Sequence, residues 1–481
     1  MLKICNSIEW YDDLETLSAD AEVIPISISG TFNFNLNLLG DPVNRIDVVF
    51  MGDGYTSAER ERFIADITRL YKDMWSSVTF ESYLPLFNIW AVFVPSNESG
   101  IGSGGKPKDT AFGLYRDGTE LRGIYTTKRS FARKVCKVTG EFACDYPSLI
   151  GNDEYYGGLG GEFVISTRSK TSGTVVLRHE MGHKYDGGQV YSGVNAVKSL
   201  EKIPWKEWLT EPNHIREEKE ILLVQECVFI FTYRSYSWYD LGKGPYVIDF
   251  KSDGKYDRWS LQISSSGVEQ DGSLEVYLDG RQLEWKSSGI LDRTFSHWDG
   301  ETGLAAGPHK LVFKQGFPPS GKDSPIRQLC SVSLHEFANQ SLFQSDPNFI
   351  GAFPTFDLYG RKTYRPTNDA CLMRNMSRNR FCTVCQEGLW LNLLTRISFI
   401  DKLEQTCEGG LAKISLKPLP VAQFRKLSLS YVNETLHVRW YKQGVHQQDF
   451  DDNFDLELPK ATVGEKWKVT VDFKRYLCFF N

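Results

Sequence analysis

The segment Arg45-Ile-Asp-Val-Val-Phe-Met-Gly-Asp-Gly54 is a short apolar run closed by turn residues, which is typical of a buried strand. Thr56 and Glu59 follow it as a capping box, and apolar residues then recur at helical spacing as far as residue 75. The pattern predicts a buried strand, a tight turn and an amphipathic helix over residues 57–75 that packs back against the strand.

The alternation of strands and helices continues along the chain. Residues 87–95 and 162–166 have the apolar character of buried strands, and a helical pattern extends from about Ser172 to Lys184. Because strands that alternate with helices form layered sheets, this region is predicted to be an α/β (α+β) domain.

Two later regions have a different pattern. From about residue 245 to 335 apolar residues recur with the period of two that half-buried strands show, and Asp279-Gly280 is a hairpin signal. A helix is predicted over Cys385–Ile400, and strand patterns follow it at residues 427–431, 436–440 and 467–473. The predicted organisation is an N-terminal segment 1–44, a catalytic domain 45–400 with a β-rich insertion at about 245–335, and a C-terminal β-sandwich module 405–481.

Composition and charge exclude several kinds of partner. The 481 residues include 55 Lys and Arg against 61 Asp and Glu, so the formal net charge is −6 and there is no basic field for phosphates or anionic lipid. The most apolar stretch, residues 221–231, is interrupted by Gln225 and Glu226 and is shorter than the roughly 20 residues that span a bilayer. We therefore expect neither a nucleic acid nor a membrane as partner.

The cysteines and glycosylation sequons favour an extracellular location. There are ten cysteines, an even number, and sequons occur at Asn97, Asn339, Asn375 and Asn433. The N-terminus shows no continuous apolar segment of a secretory signal, so the expectation of a secreted, disulfide-bonded glycoprotein depends on these residues alone.

Two groups of cysteines suggest specific uses. A disulfide between Cys136 and Cys144 would close a short loop. Cys371, Cys382 and Cys385 could form a zinc knuckle, but a fourth ligand at short spacing is lacking. Disulfides within this cluster are therefore the favoured prediction.

His179-Glu-Met-Gly-His183 is an HExxH motif inside the predicted helix. His179 and His183 are one helical turn apart, so both imidazoles can reach one metal ion. Glu180 is then placed to act as general base on a metal-activated water. The motif predicts a zinc site with a hydrolytic function.

Seven ordered segments resemble the IgA peptidase family of zinc metallopeptidases, particularly its fungal secreted branch. They are Asp53–Thr56, Phe87–Val92, Thr110–Gly113, Asn152–Gly158, His179–His183, Tyr185–Gly188 and Cys371–Arg374. The resemblance implies a zincin-like metalloendopeptidase domain with zinc on His179 and His183 and with Glu180 as general base. It also implies that Met373 forms the base of the metal site, whereas a plain core role for Met373 is the alternative.

The resemblance leaves the third zinc ligand open. Family members usually have several more residues, including an acidic pair, between the second histidine and the Tyr-Asp-Gly-Gly segment, whereas here Lys184 alone separates His183 from Tyr185. Asp186 lies seven residues after His179 at a similar helical azimuth and is a hypothetical third ligand. In a straight helix their Cα atoms are about 10.5 Å apart, so the last turn would have to open.

We expect from the sequence a secreted zinc metalloendopeptidase acting on protein or peptide substrates, and the sequence does not indicate its oligomeric state. The loop Asn152–Gly158 could border the substrate cleft, and Tyr185 or Tyr191 could donate a hydrogen bond to the oxyanion. One alternative is an inactive peptidase homologue that binds glycans or proteins. A second is an esterase or amidase with the same metal chemistry.

Overall fold

The computed structural model describes most of the chain. The described residues are 22–25, 40–76, 80–116, 123–185, 197–211, 221–224, 238–318, 326–337, 346, 348–356, 362–368, 370–373, 375–408, 411–421, 433–459 and 466–476.

The N-terminal half contains a five-stranded sheet and a small hairpin. The strands in chain order are β1 Glu22–Pro25, β2 Ile46–Asp53, β3 Phe87–Phe93, β4 Leu114–Arg116, β5 Ile124–Thr126, β6 Tyr146–Gly151 and β7 Val164–Thr167. The sheet order is β1-β3-β2-β6-β7, in which β3, β2, β6 and β7 are parallel and β1 is an antiparallel edge. β4 and β5 form the separate hairpin. The predicted strands at 45–51, 87–95 and 162–166 are confirmed to within a few residues.

The helices in chain order are α1 Arg60–Trp75, α2 Arg129–Cys136, α3 Gly173–Tyr185 and α4 Thr383–Leu394. The capping box before α1 is present, because Glu59 Oε2 accepts a hydrogen bond of 3.0 Å from the Thr56 backbone N–H. Phe63, Ile67 and Leu70 of α1 are fully buried in the main apolar cluster, as the amphipathic pattern predicts. The predicted helix at about 172–184 is α3. No described helix is long and apolar enough to span a membrane.

The prediction of a helix over Cys385–Ile400 is wrong at its end. Helix α4 ends at Leu394, and Ile400 begins a strand. The Ser398 backbone N–H donates to Asn44 Oδ1 at 2.6 Å, and Asn44 Nδ2 donates to the Ser398 carbonyl at 3.1 Å, so a distant side chain binds the backbone here. The apolar spacing continues past the helix because Ile397 packs against the same core without being helical.

Residues 221–337 contain two sheets with an apolar core of their own, while their status as an insertion in a catalytic domain stays a prediction. Its strands are β8 Ile221–Val224, β9 Tyr239–Asp240, β10 Tyr246–Ser252, β11 Arg258–Ser266, β12 Leu274–Leu278, β13 Arg281–Leu283, β14 Thr294–Gly300, β15 Gly307–Gln315 and β16 Gln328–Phe337. One sheet has the order β10-β15-β12-β13 and the other β14-β11-β16-β8, with β9 paired to β16. Asp279 and Gly280 have φ of 51° and 80° between β12 and β13, which is the conformation of a tight hairpin turn.

The C-terminal third adds short sheets. Its strands are β17 Phe353–Phe356, β18 Lys362–Arg365, β19 Ile400–Glu408, β20 Leu411–Pro418, β21 Asn433–Lys442, β22 Val445–His446, β23 Asp455–Pro459 and β24 Trp467–Tyr476. β19-β20-β23 and β22-β21-β24 are three-stranded sheets, and β17 pairs with β18. The predicted strands at 436–440 and 467–473 lie in β21 and β24, whereas 427–431 lies outside the described residues.

These C-terminal strands contribute to the main core. Leu416 of β20 and Trp440 of β21 are buried in the same apolar cluster as Phe63 of α1 and Leu389 of α4. The C-terminal sheets therefore share the core in which α1 and α4 pack, while their description as a β-sandwich stays a prediction.

Candidate active site

The HExxH residues lie on α3, which follows edge strand β7 after a short connection. His179 is almost fully buried, with 7% of its surface exposed, and Glu180 is half-buried. His183 is one turn further along the same helix. The helix therefore places the three predicted site residues within two turns of one another.

A backbone carbonyl orients the His179 imidazole. His179 Nδ1 lies 3.2 Å from the Leu372 carbonyl oxygen. Because a carbonyl can only accept a hydrogen bond, Nδ1 carries the proton, and in the neutral ring Nε2 then carries the lone pair that a metal ligand uses. This contact is the type of outer hydrogen bond that orients histidine ligands in metal sites.

The turn that provides this carbonyl also packs against α3. A Cβ placed on Gly182 would lie 2.5 Å from Met373 Sδ and 2.8 Å from Phe381 Cζ. Only glycine therefore permits this approach of α3 to the turn. The structure thus places Met373 beside the HExxH helix, while its role at the base of a metal site stays a prediction.

The Glu180 carboxylate lies against a glycine of the neighbouring edge segment. A Cβ at Gly160 would be 2.4 Å from Glu180 Oε2. The segment is held to β7 by reciprocal backbone bonds between Leu159 and Ile165, with N···O distances of 3.2 and 2.9 Å. The edge of the sheet therefore reaches the carboxylate that is predicted to be the general base.

The structure does not test the third-ligand hypothesis. Asp186 and Tyr191 lie outside the described residues, and for His183 and Tyr185 only the helical backbone is described. The placement of a carboxylate ligand by Asp186 stays a prediction.

Two of the family-like segments are joined through Asp53. Asp53 Oδ1 accepts from the Phe112 N–H at 2.6 Å, and Oδ2 accepts from the Leu114 N–H at 2.7 Å and from Thr110 Oγ1 at 2.8 Å. Burial raises the pKa of Asp53 in spite of these bonds, which favour its charged form. Asp53 thus has a structural role in holding the loop Thr110–Gly113 at the end of β2.

The loop Asn152–Gly158, predicted to border a cleft, is anchored from both sides. Asn152 Nδ2 donates to the Gly54 carbonyl at 2.8 Å, and Arg116 binds Asp153 at 2.9 Å and the Tyr156 carbonyl at 2.8 Å. The loop then continues directly into the segment that meets Glu180. Its rigid anchoring therefore positions that segment.

Asp292 of the insertion is a site-supporting residue that the sequence analysis missed. Its Oδ2 accepts from three hydroxyls that precede α3, those of Ser169 at 3.0 Å, Thr171 at 3.1 Å and Ser172 at 2.5 Å. Its Oδ1 accepts from the backbone N–H groups of Tyr156 and Arg293. One buried carboxylate therefore ties the insertion both to the start of the HExxH helix and to the loop beside it. No local pattern signals this role, because the partners are about 120 residues away.

The cysteines give one confirmed and one wrong prediction. Cys136 and Cys144 form a disulfide with a Cα–Cα distance of 5.7 Å. Cys371, Cys382 and Cys385 are buried free thiols, so the predicted disulfide within this cluster is absent. Their Sγ atoms nevertheless lie within 4.8 Å of one another.

An HExxH motif on a helix is typical of metal-dependent hydrolases. Residues 34–233, which include α1 and α3, match the model of the IgA Peptidase M64 family. This match supports the IgA peptidase family for the chain, which suggests a metallopeptidase and implies a metal.

No curated protein matches the chain. Among solved structures, one partial likeness is to a carbohydrate-binding module of Cellvibrio mixtus lichenase 5A in complex with cellotriose, at 13% identity over 18% of this chain and 63% of that chain, with a TM-score of 0.13. A second is to the ANX2 ectodomain from Arabidopsis thaliana, at 12% identity over 20% of this chain and 30% of that chain, with a TM-score of 0.14. A third is to a GH2 beta-galacturonidase from Eisenbergiella tayi bound to galacturonate, at 11% identity over 49% of this chain and 29% of that chain, with a TM-score of 0.14. The chain spans less than two thirds of the length of each of these structures. At these TM-scores the likenesses carry no argument about fold or function.

Proposed function

We propose that this protein is a zinc-dependent metalloendopeptidase that hydrolyses peptide bonds of extracellular proteins. The observation that carries the proposal is the bond between His179 Nδ1 and the Leu372 carbonyl, because it presents Nε2 as a ligand on the helix that also carries Glu180. The family match over residues 34–233 supports the peptidase class.

The residues present fit a zinc ion. His179 and His183 would hold it, with Asp186 as the candidate third ligand by its position in the sequence. When bound, zinc supplies Lewis-acid activation of water and stabilisation of the developing oxyanion. Three protein ligands and one open position are usual for catalytic zinc, which is the reason to test Asp186.

Glu180 moves the proton in this mechanism. Its half-buried carboxylate accepts a proton from the attacking water and then delivers it to the amine of the leaving fragment. Close packing against Gly160 restricts where the carboxylate can lie. The buried His179 ring keeps its orientation because its Nδ1–H remains hydrogen-bonded to the Leu372 carbonyl.

The extracellular location and the fungal secreted branch are part of the proposal. The disulfide between Cys136 and Cys144 supports an oxidising compartment. The sequon residue Asn97 lies on the surface, where a glycan could be attached.

The test compares zinc content and peptide hydrolysis in matched variants. We expect the His179→Ala/His183→Ala double variant to hold one zinc fewer per chain than the wild type and to lose hydrolysis. Glu180→Gln should keep the wild-type zinc content and lose hydrolysis. His297→Ala, which changes an exposed histidine in β14, is the control and should change neither.

Equal zinc content in the wild type and the double variant would refute the HExxH metal site. Full hydrolysis by Glu180→Gln would refute the role of Glu180. Asp186→Ala tests the third ligand, since unchanged zinc affinity in this variant would exclude it.

A further inference from the structure

Three cysteine thiols meet in the core directly behind the Met373 turn. Cys371, Cys382 and Cys385 are 3%, 1% and 7% exposed, and their Sγ atoms all lie within 4.8 Å of one another. The Sγ atoms of Cys371 and Cys385 are 3.7 Å apart. These cysteines belong to the main apolar cluster and take no part in the HExxH chemistry described above.

The sulfur spacing fits metal coordination better than covalent pairing. A disulfide needs about 2.05 Å between sulfurs. Zinc–thiolate bonds of about 2.3 Å at tetrahedral angles place two sulfurs about 3.8 Å apart. The observed 3.7 Å agrees with the second value.

The local backbone folds the three sulfurs toward one point. The Leu372 N–H donates to the Arg380 carbonyl at 2.8 Å, which closes the loop between Cys371 and Cys382. Cys382 is the residue that caps α4, and Cys385 lies within the first turn of that helix. The Cys382 backbone N–H donates to Cys371 Sγ at 3.3 Å, and such N–H bonds to sulfur are among those that tune metal-bound thiolates. The loop and the helix start thus form a preorganised three-sulfur site.

We propose that Cys371, Cys382 and Cys385 bind a thiophilic d¹⁰ cation, Zn²⁺ or Cu⁺, at a structural site separate from the HExxH site. Buried charged groups need coordination or pairing, and thiolates select these soft ions. Among the described residues no further His, Cys, Asp or Glu joins the group. Three thiolates suit a trigonal Cu⁺, whereas a tetrahedral Zn²⁺ takes one additional ligand.

The position of the site gives it a structural consequence. Cys371 precedes Leu372, whose carbonyl orients His179, and Met373, whose sulfur packs on Gly182. A metal ion here links this turn to α4. The proposed ion therefore stabilises the turn that packs against the HExxH helix, independently of zinc binding by that helix.

The experiment uses the full chain, purified under reducing conditions and loaded with Zn²⁺, Cu⁺ or Cd²⁺ separately. The His179→Ala/His183→Ala background removes the HExxH site, so that binding to the cysteines is measured independently of the proposed peptidase function. We expect one ion per chain in this background and an ultraviolet thiolate-to-metal charge-transfer band with Cd²⁺. Cys382→Ser/Cys385→Ser should lose both, whereas Cys330→Ser, a change at a buried cysteine of β16, should keep both.

A second measurement applies if the cysteine variants do not fold. Because burial alone protects these thiols in the native protein, the parent chain is alkylated in urea below its unfolding midpoint, where Cys371, Cys382 and Cys385 should react more slowly with metal bound than after chelation. A charge-transfer band with Cd²⁺ and metal-dependent protection support the site. Absence of the band overturns the proposed site. A mass lower by two hydrogens, which would show a disulfide within the cluster of the purified protein, also overturns it.

Discussion

Replacing Asp292 tests how strongly the insertion stabilises the HExxH helix. Asp292→Ala removes an acceptor for five hydrogen bonds, three from hydroxyls before α3 and two from backbone N–H groups. Hydrogen bonds to a charged group contribute about 1.5–3 kcal/mol each, but bonds that share one carboxylate are not additive. Since Asp292 is only 4% exposed, water replaces few of them. We expect the free energy of unfolding to fall by about 3–5 kcal/mol.

Asp292→Asn is the informative companion variant. The amide keeps one oxygen for the backbone donors and presents its NH₂ group to hydroxyl oxygens, which can accept after rotation. The expected loss is therefore smaller, about 1–2 kcal/mol. Asp271→Ala is the control, because the exposed Asp271 of the same insertion accepts one bond from the Ser287 N–H at 2.7 Å.

The assay is urea unfolding followed by tryptophan fluorescence. Trp238, one of twelve tryptophans, is 5% exposed and its ring lies 5.6 Å from the Arg293 guanidinium, so the fluorescence includes a contribution from this junction. An unfolding midpoint of Asp292→Ala equal to that of the wild type would refute the reasoning. A loss as large in Asp271→Ala would show that the effect is not specific to the junction.

Three further predictions concern packing and pH. Gly182→Ala should lower the free energy of unfolding by about 1–3 kcal/mol, because its Cβ would meet Met373 Sδ at 2.5 Å. Urea unfolding measures this change, and equal or greater stability of the variant would contradict this packing. Gly160→Ala should reduce peptide hydrolysis at unchanged zinc content, because its Cβ would displace the Glu180 carboxylate, and unchanged hydrolysis would argue against that contact. Burial raises the pKa of Asp47 from its ordinary 3.8 to about 6, so the folded protein binds the extra proton and its stability falls as pH rises through this window. The fall amounts to at most about 3 kcal/mol, and Asp47→Asn should remove it from unfolding curves measured between pH 4 and 7; an unchanged pH dependence would exclude Asp47 as its source.

Local patterns predicted the parts of the fold that depend on neighbours in the chain. The apolar run at 45–54 and the capping box of Thr56 and Glu59 identify β2 and α1, because their side chains act within a few residues. The prediction extended past the end of α4 into a segment where Ser398 is hydrogen-bonded to Asn44, which lies about 350 residues away.

The candidate site divides in the same way. His179, Glu180 and His183 form a local motif that is recognisable by its spacing on one helix. Asp292 acts through long-range contacts, and the acceptor that orients His179 is a backbone atom with no side-chain signature. The three clustered cysteines were visible in the sequence, but their sulfur spacing depends on how the loop before α4 folds.

The bond between His179 and Leu372 has a consequence for variation at this position. Because the acceptor is the main-chain carbonyl, exchanging the Leu372 side chain does not delete it. At codon 372 every replacement except proline, which would also remove the N–H bond to the Arg380 carbonyl, would register only as a change in core packing. Side-chain replacements of Leu372 other than proline therefore leave the acceptor that orients the imidazole in place. The orientation depends instead on the direction of the peptide plane, which insertions, deletions and proline substitutions would change. Changes in the length of this turn would therefore be more damaging than changes in its amino-acid composition.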